Sequence, residues 1–261
     1  MSKNQSELPE AHVICIKWGA GLYQATDVNR LYAMVARNLH RHELRFHCFT
    51  EISEGLRREV IVHPLPAVGC DPADLKHGYR KEVGLCDDDL GGLRGRRVLF
   101  FDLDVVITGS LDEMVEFPSG DDFVIIKDWN TRGDHVGQAT AYSYRVGTLG
   151  FVKAYFEANA REVVGKYTTA SQEYLSSKVI EKWGGLKFWP EAWCQSYKFT
   201  VLPPWYLRPF VVPDLPAGTK VLAFHGQPKI EDAILGRWSP ERVPLFKRVY
   251  KTIRPCPWIA D

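Results

Sequence analysis

Two aspartates, Asp102 and Asp104, directly follow an unbroken apolar run at residues 98–101. Side chains two residues apart in an extended chain point the same way, so the two carboxylates can share one cation. Unpaired carboxylates are costly to bury, so we expect them at the carboxyl end of a strand, where open α/β sheets bind ligands. Carboxylate oxygens suit magnesium or manganese. The pair therefore predicts a divalent cation site; the alternative is two surface carboxylates that cap a turn.

A late histidine is the candidate third ligand of that cation. His225 follows a short apolar segment, residues 220–224, and precedes Gly226 and Lys229. An imidazole nitrogen is acceptable to manganese, a glycine lets a phosphate approach the backbone, and a lysine supplies a compact positive charge. These residues predict a phosphate-binding turn beside the metal; the alternative for His225 is a core histidine with satisfied hydrogen bonds.

The elements that must position these residues alternate between strand and helix patterns. Apolar runs bounded by glycine, proline or polar residues predict strands at residues 12–18, 45–50, 60–65, 98–101, 123–127 and 220–224. Helical spacing predicts helices at residues 28–39, capped by Asp27, at about 80–85 and at 171–183. Residues 131–138 are predicted to be a surface loop, and the proline-rich residues 202–216 are predicted to lack a regular helix. This alternation predicts an α/β fold, a single Rossmann-like domain with a mainly parallel central sheet flanked by helices.

Composition limits the classes of partner. Lysine and arginine number 33 against 32 aspartates and glutamates, so no strong positive field is available for nucleic acid. The six cysteines are scattered without the close pairs of zinc ribbons, and we interpret them as free thiols in a reducing compartment. No apolar run approaches the roughly 20 residues that span a bilayer, and residues 1–10 lack the apolar stretch of a secretion signal. We expect a cytoplasmic protein that does not bind nucleic acid.

Three separated segments together resemble GT-A glycosyltransferases. They are FFDLDVVITGSLD at residues 100–112, DVNRLYAMVARNL at 27–39 and FHGQPK at 224–229. The most similar group is family eight, the glycogenin-like and bacterial lipopolysaccharide galactosyltransferases, and the resemblance covers most of the chain. It implies a GT-A fold and metal-dependent transfer of a sugar from a nucleotide diphosphate donor, by default a UDP-sugar. The acceptor would be a glycan or a lipid-linked molecule, and the anomeric configuration would be retained.

The resemblance also implies roles for individual residues. The metal, Mn²⁺ or Mg²⁺, would be bound by Asp102, Asp104 and His225. Gln172 or Glu173 would face the reacting carbon; the alternative for Glu173 is a surface position on a helix. Contacts to the donor are implied for Trp18, Gly19, Asn29, Lys81, Asp102, Leu103, Asp104, Gly226 and Lys229.

Two other functions stay open. An apolar strand followed by DLDVV also resembles the nucleophile motif of haloacid dehalogenase type phosphatases, in which Asp102 would attack phosphorus and Asp104 would act as acid and base. Such phosphatases usually carry that motif near the start of the chain. The third hypothesis is a catalytically degenerate transferase that binds a nucleotide or glycan without turnover. It rests on departures from the group's pattern at residues 140–143 and at Ser171.

The two ends of the chain complete the predicted domain plan. Residues 1–10 are predicted to be a flexible segment and residues 11–236 the glycosyltransferase domain. Residues 237–261 combine basic and aromatic side chains. Such a segment favours peripheral contact with the inner face of a membrane, where a lipid-linked acceptor would lie, or else a solvated helix that closes the domain.

Overall fold

The computed structural model describes residues 8–19, 21, 23–75, 78–129, 135–168, 171–239 and 251–259. The chain folds into two compact units. Unit 1 comprises Met1–Leu103 and Ser110–Trp189, and unit 2 comprises Asp104–Gly109 and Pro190–Asp261. The predicted domain plan stays a prediction, and most of the N-terminal segment and residues 240–250 of the C-terminal one lie outside the described residues.

Strands and helices alternate along most of the chain. In chain order the strands are β1 (Glu10–Lys17), β2 (Glu43–Thr50), β3 (Ile61–His63), β4 (Arg97–Phe101), β5 (Val105–Ile107), β6 (Val124–Lys127), β7 (Gly137–Arg145), β8 (Lys187–Phe188), β9 (Cys194–Ser196) and β10 (Val221–Ala223). The helices are α1 (Ala25–Arg37), α2 (Tyr79–Gly84), α3 (Asp112–Glu116), α4 (Gly150–Lys166), α5 (Ser171–Trp183) and α6 (Ile230–Leu235). The predicted helix at residues 171–183 is confirmed at both ends.

Unit 1 is built on a seven-stranded sheet in the order β3-β2-β1-β4-β7-β6-β8. Only β7 runs against its neighbours, so the other six strands share one direction. After Arg97 the central strand β4 is apolar, and its residues 98–101 are at most 2% exposed, as expected where a parallel sheet is covered on both faces. The predicted mainly parallel α/β fold is confirmed.

Helix α1 begins earlier than the periodicity predicts. Gln24, not Asp27, is the residue that precedes the helix, and Asp27 lies in its first turn. The Asp27 carboxylate accepts the Gln24 backbone N–H at 2.8 Å. Asp27 therefore satisfies an orphan donor from inside the helix, which is the second half of a capping box.

Strand β7 corrects the predicted loop at residues 131–138. Gly137 and Gln138 belong to the strand, while residues 131–134 lie outside the described part of the chain. Its small, polar and aromatic residues lack the continuous apolar run of a buried strand. The residues of β7 are positioned by packing against the adjacent strands β4 and β6. The Tyr142 ring lies 4.7 Å from that of Phe100, and a Cβ on Gly137 would lie 2.6 Å from the side chain of Ile125.

Unit 2 has its own three-stranded sheet, in the order β5-β10-β9, followed by α6. Residues 202–216 contain turns and no regular helix, which confirms that prediction. The six cysteines all lie within the described residues, and none of them forms a disulfide bond, as predicted. No helix within the described residues is both long and apolar enough to cross a membrane. The predicted cytoplasmic location stays a prediction.

Three histidines form a hydrogen-bonded chain across the neighbouring strands β1, β2 and β3. His12 Nδ1 lies 3.1 Å from His47 Nε2, and His47 Nδ1 lies 2.9 Å from His63 Nε2. Burial is the main cause that lowers the pKa of His47 to about 3; His63, His12 and Arg45 add to it and Glu10 opposes it. The central imidazole is therefore neutral in the folded protein at neutral pH.

The three hydrogen-bonded histidines predict a loss of stability in mild acid. The folded-state pKa of His47 lies below its ordinary value near 6.5, so the unfolded state binds the proton first as the pH falls. The contribution of neutral His47 to the free energy of unfolding is nearly complete above about pH 6.5. About 1 kcal/mol of that free energy should be lost between about pH 7 and pH 5.5. Urea unfolding at both pH values should show His47→Gln with a smaller loss than the unmodified protein. Exposed His40→Gln should keep the full loss, and an unchanged loss in His47→Gln would contradict the assignment.

Candidate active site

The first predicted ligand, Asp102, lies in unit 1 directly after the central strand β4. Its backbone N–H donates to the Thr140 carbonyl at 2.8 Å, beyond the last paired residues of β4 and β7. The Lys81 ammonium donates to both carboxylate oxygens of Asp102, at 2.9 and 2.8 Å. The carboxylate thus lies at the carboxyl end of β4, as predicted, and is held there by a lysine from α2.

Lys81 lies between two carboxylates. Its ammonium is 3.2 Å from Glu82 as well as 2.8 Å from Asp102. Burial by itself would lower the pKa of Lys81, but the two carboxylates outweigh burial and hold that pKa above its ordinary value. The Ser171 hydroxyl donates to Glu82 at 2.7 Å, and a Cβ on Gly78 would lie 2.2 Å from that hydroxyl oxygen. We call Asp102, Lys81, Glu82 and Ser171 the buried charge network.

Sequence reasoning missed Glu82. It is only 3% exposed, and an acid at such a position needs a partner to remain charged. The available signal was its place directly after Lys81 and directly before the apolar residues 83–86. Ser171 entered the sequence analysis only as a departure from a family pattern, whereas in the structure it is the first residue of α5 and a hydrogen-bond donor to Glu82.

The second predicted ligand, Asp104, belongs to unit 2 and lies in the turn before β5. The backbone N–H of Phe224 donates to the Asp104 carbonyl at 2.9 Å, which extends the antiparallel pairing of β5 with β10. The Lys229 ammonium lies 3.1 Å from the Asp104 carboxylate. Residues 103 and 104 lie in a turn, so the two aspartates do not continue one extended strand, and a shared direction of their side chains stays a prediction.

His225 follows β10 in the same unit. Its Nε2 lies 2.7 Å from the Ser196 hydroxyl, and its ring stacks on Phe199 with 5.2 Å between ring centroids. Gly226 adopts a φ of +74°, a left-handed conformation that glycine tolerates best. Within unit 2, Asp104, His225, Gly226 and Lys229 thus lie around the end of β10 as the sequence predicts, and Ser196 is an unpredicted partner.

The remaining predicted donor contacts have structural partners in unit 1. Both groups of the Asn29 amide bind the backbone of residues 55 and 57, at 2.8 and 2.9 Å. The Gly19 N–H donates to Glu51 at 2.7 Å, Trp18 packs partly against the core, and the Leu103 side chain is buried. Their roles toward a donor stay predictions.

The two predicted catalytic residues lie in the first turn of α5. Gln172 Oε1 accepts the backbone N–H of Ala139, in β7, at 3.2 Å, and Glu173 is the acidic residue of that turn. Their place in the reaction stays a prediction. The hydrogen bond gives Gln172 a structural role as well, because it ties the start of α5 to β7.

The chemistry of the predicted donor set can be tested against a divalent ion. Over the described residues, neither unit groups three His, Cys, Asp or Glu side chains closely enough to hold a metal. The carboxylates of Asp102 and Asp104 are hard oxygen ligands that magnesium and manganese accept, and their side chains keep 23% and 15% exposure. A histidine oriented by a hydrogen bond, as His225 is by Ser196, is a usual metal ligand. The residue types fit such an ion, with a lysine on each carboxylate.

Comparison with solved structures identifies the fold. The structure of galactosyltransferase LgtC in complex with donor and acceptor sugar analogs matches with a TM-score of 0.56 and 14% identity, covering 84% of this chain and 88% of that one. An active-site glutamine-to-glutamate mutant of LgtC matches with a TM-score of 0.58 and 14% identity, covering 92% of this chain and all of that one. The chain matches no protein-family model and no curated protein sequence. The GT-A fold implied by the resemblance is therefore confirmed.

The two lysine pairs should differ in their effect on stability. Lys81→Met leaves the buried carboxylate of Glu82 and the partly buried carboxylate of Asp102 without their ammonium, and it should lower the free energy of unfolding by about 3 kcal/mol. Lys229→Met is the matched change at a pair whose lysine side chain is 32% exposed, and it should cost at most about 1 kcal/mol. Urea unfolding of both variants measures the difference. Equal losses would contradict the structural role assigned to Lys81.

Proposed function

We propose that this chain is a glycosyltransferase that moves a sugar from a nucleotide diphosphate donor to a glycan or lipid-linked acceptor. The observation that carries the proposal is the Asp102 carboxylate, held by Lys81 at the carboxyl end of the central strand. Ligands of open α/β sheets bind at that edge. The fold shared with galactosyltransferase LgtC supports the same reaction class.

The basic residues of the site supply charge where the reaction needs it. Breaking the anomeric bond places negative charge on the departing diphosphate, and a positive group near that charge lowers the barrier. Lys229 carries such a charge on the turn after Gly226, whose missing side chain leaves room for a phosphate beside the backbone. We therefore assign phosphate binding to Gly226 and Lys229.

We further propose that Asp102 and Asp104 hold a divalent ion, Mg²⁺ or Mn²⁺, with His225 as third ligand. The fit of the residue types and the orientation of His225 by Ser196 support this assignment. Such an ion, when bound, acts as a Lewis acid toward the leaving diphosphate. The lysines hold the carboxylates in place, and each ammonium is a competitor that an entering ion has to displace.

The finer features of the reaction follow the resemblance of the motifs. A UDP-sugar is the proposed donor, and retention of the anomeric configuration is the proposed outcome. Gln172 is the proposed neighbour of the reacting carbon. The phosphatase and the degenerate binding protein are the outcomes that would replace this proposal.

Donor binding gives the first test. Calorimetry with a panel of nucleoside diphosphates, with and without manganese, should show metal-dependent binding of one of them, and Asp104→Asn should weaken it about 100-fold. Asp104 is the better target because its pair with Lys229 lies outside the buried charge network. Asp88→Asn is the matched control, since its carboxylate is 54% exposed and pairs with Arg94 at 3.8 Å; it should bind like the unmodified protein.

The other outcomes separate the alternatives. Hydrolysis of p-nitrophenyl phosphate that disappears in Asp102→Asn, without nucleotide binding, would establish the phosphatase instead. Nucleotide binding without donor hydrolysis or transfer would establish a binding protein. Binding that is the same in Asp104→Asn would remove the metal assignment.

A second test separates the structural role of Gln172 from its role in the reaction. Gln172→Glu keeps an oxygen that can accept the Ala139 N–H, but it removes the amide donor and adds a charge. We expect donor affinity to change less than threefold and kcat to fall at least about tenfold, because an interaction made in the transition state is lost. A fall in donor affinity with an unchanged kcat would contradict the assignment.

A further inference from the structure

A loop of unit 2 exposes an unusual amount of apolar surface. Its residues 205–212 read WYLRPFVV, and we call Pro203–Pro213 the aromatic loop. Phe210 is 79% exposed, Tyr206 58% and Trp205 52%, and the neighbouring Leu207, Val211 and Val212 are also exposed. Monomeric soluble proteins rarely expose contiguous apolar patches of this kind unless the patch meets a partner or a membrane.

The loop is a firm structure and not an unfolded segment. Three of its backbone N–H groups are bonded within it: Leu207 to Pro204 at 2.8 Å, and Phe210 and Val211 to Leu207, both at 2.9 Å. Four of its positions are prolines, which have no N–H to satisfy. The four prolines and the three bonded N–H groups together account for seven of the eleven residues, and each lowers the cost of bringing the backbone close to hydrocarbon.

The loop is braced by one internal side-chain hydrogen bond and anchored to the rest of unit 2 by two tryptophans. The Arg208 Nε donates to the Pro203 carbonyl at 3.0 Å, and the Trp258 indole donates to the Pro213 carbonyl at 3.1 Å. The guanidinium of Arg208 also lies 5.4 Å from the ring of Trp238. The aromatic side chains are therefore presented on a fixed base, so little conformational entropy is lost when they bind a surface.

Charge and residue type indicate the partner. Residues 197–220 carry three basic side chains, Lys198, Arg208 and the buried Lys220, against one acid, Asp214, so the two basic side chains that are not buried still outnumber the acid. Exposed Phe199 lies beside Lys198, whose ammonium is 5.5 Å from its ring. Tryptophan and tyrosine prefer the boundary between water and hydrocarbon, and basic residues are attracted to anionic headgroups.

We propose that the aromatic loop docks this protein onto the anionic surface of a lipid bilayer. Trp205, Tyr206 and Phe210 enter the headgroup boundary, and Lys198 faces the headgroups. The site differs from the C-terminal segment considered above, whose residues 240–250 lie outside the described structure. It requires neither donor nor acceptor, so it can fail while the proposed transferase activity stands.

Vesicle sedimentation with the full chain tests the proposal. We expect binding to phosphatidylcholine vesicles that contain about a third phosphatidylglycerol and weaker binding to pure phosphatidylcholine. The double variant Trp205→Ser with Phe210→Ser should bind the anionic vesicles about tenfold less. The control is Trp183→Ser, which removes an aromatic residue of similar exposure, 42%, from unit 1; it should bind like the unmodified chain.

A second measurement reports how deeply Trp205 enters the bilayer, as well as whether the protein binds to it. Brominated lipids in the anionic vesicles should quench part of the tryptophan fluorescence, and Trp205→Phe should lose that part while sedimentation is kept. Circular dichroism of each variant confirms that it is folded.

Three results would overturn the proposal. One is absence of binding to anionic vesicles. Another is binding that the double variant leaves unchanged. The third is a concentration-dependent dimer in gel filtration that the double variant abolishes, with no vesicle binding, because the loop would then be a contact between two copies of the chain.

Discussion

The ammonium of Lys81, buried between Asp102 and Glu82, is the interaction on which the unit 1 residues of the candidate site depend. A buried ion pair contributes little net stability compared with an apolar core, but a buried carboxylate without its partner is costly. Separating the Lys81 ammonium from the two carboxylates is therefore costly, and the three groups stay in contact. Asp102 directly follows β4, Glu82 lies in α2, and Ser171 on α5 donates to Glu82. The contacts of this network therefore set the positions of α2 and α5 relative to the central strand.

The predicted site residues of unit 2 are brought together by strand pairing. Because β5 follows Asp104 and pairs antiparallel with β10, the start of β5 lies opposite the end of β10. That register brings Asp104 beside the turn that carries His225 and Lys229, about 120 residues later in the chain. The chemistry of unit 2 is therefore assembled by backbone hydrogen bonds, and the side chain of its lysine, Lys229, is 32% exposed against 12% for Lys81.

The two lysine–carboxylate pairs are thus similar in chemistry and different in setting. Lys81 is enclosed, with burial and two acids acting on one ammonium, and its position is determined by packing. Lys229 lies on a turn between a strand and a short helix, where a charged ligand can compete for it. Unit 1 thus holds its carboxylate with an enclosed ammonium, whereas unit 2 holds its carboxylate with an ammonium that is more exposed.

The sequence by itself determined the α/β class, the central strand and the carboxylate pair, because continuous apolar runs, helical periodicity and motif order are local signals. It also indicated the His225 turn. Tertiary structure alone decided the strand identity of β7, whose small and aromatic residues depend on Phe100 and Ile125 for their place. It likewise decided the partners of each aspartate and the burial of Glu82. Those depend on which distant segments meet, and no spacing along the chain encodes the low dielectric setting that makes one ammonium indispensable to two carboxylates.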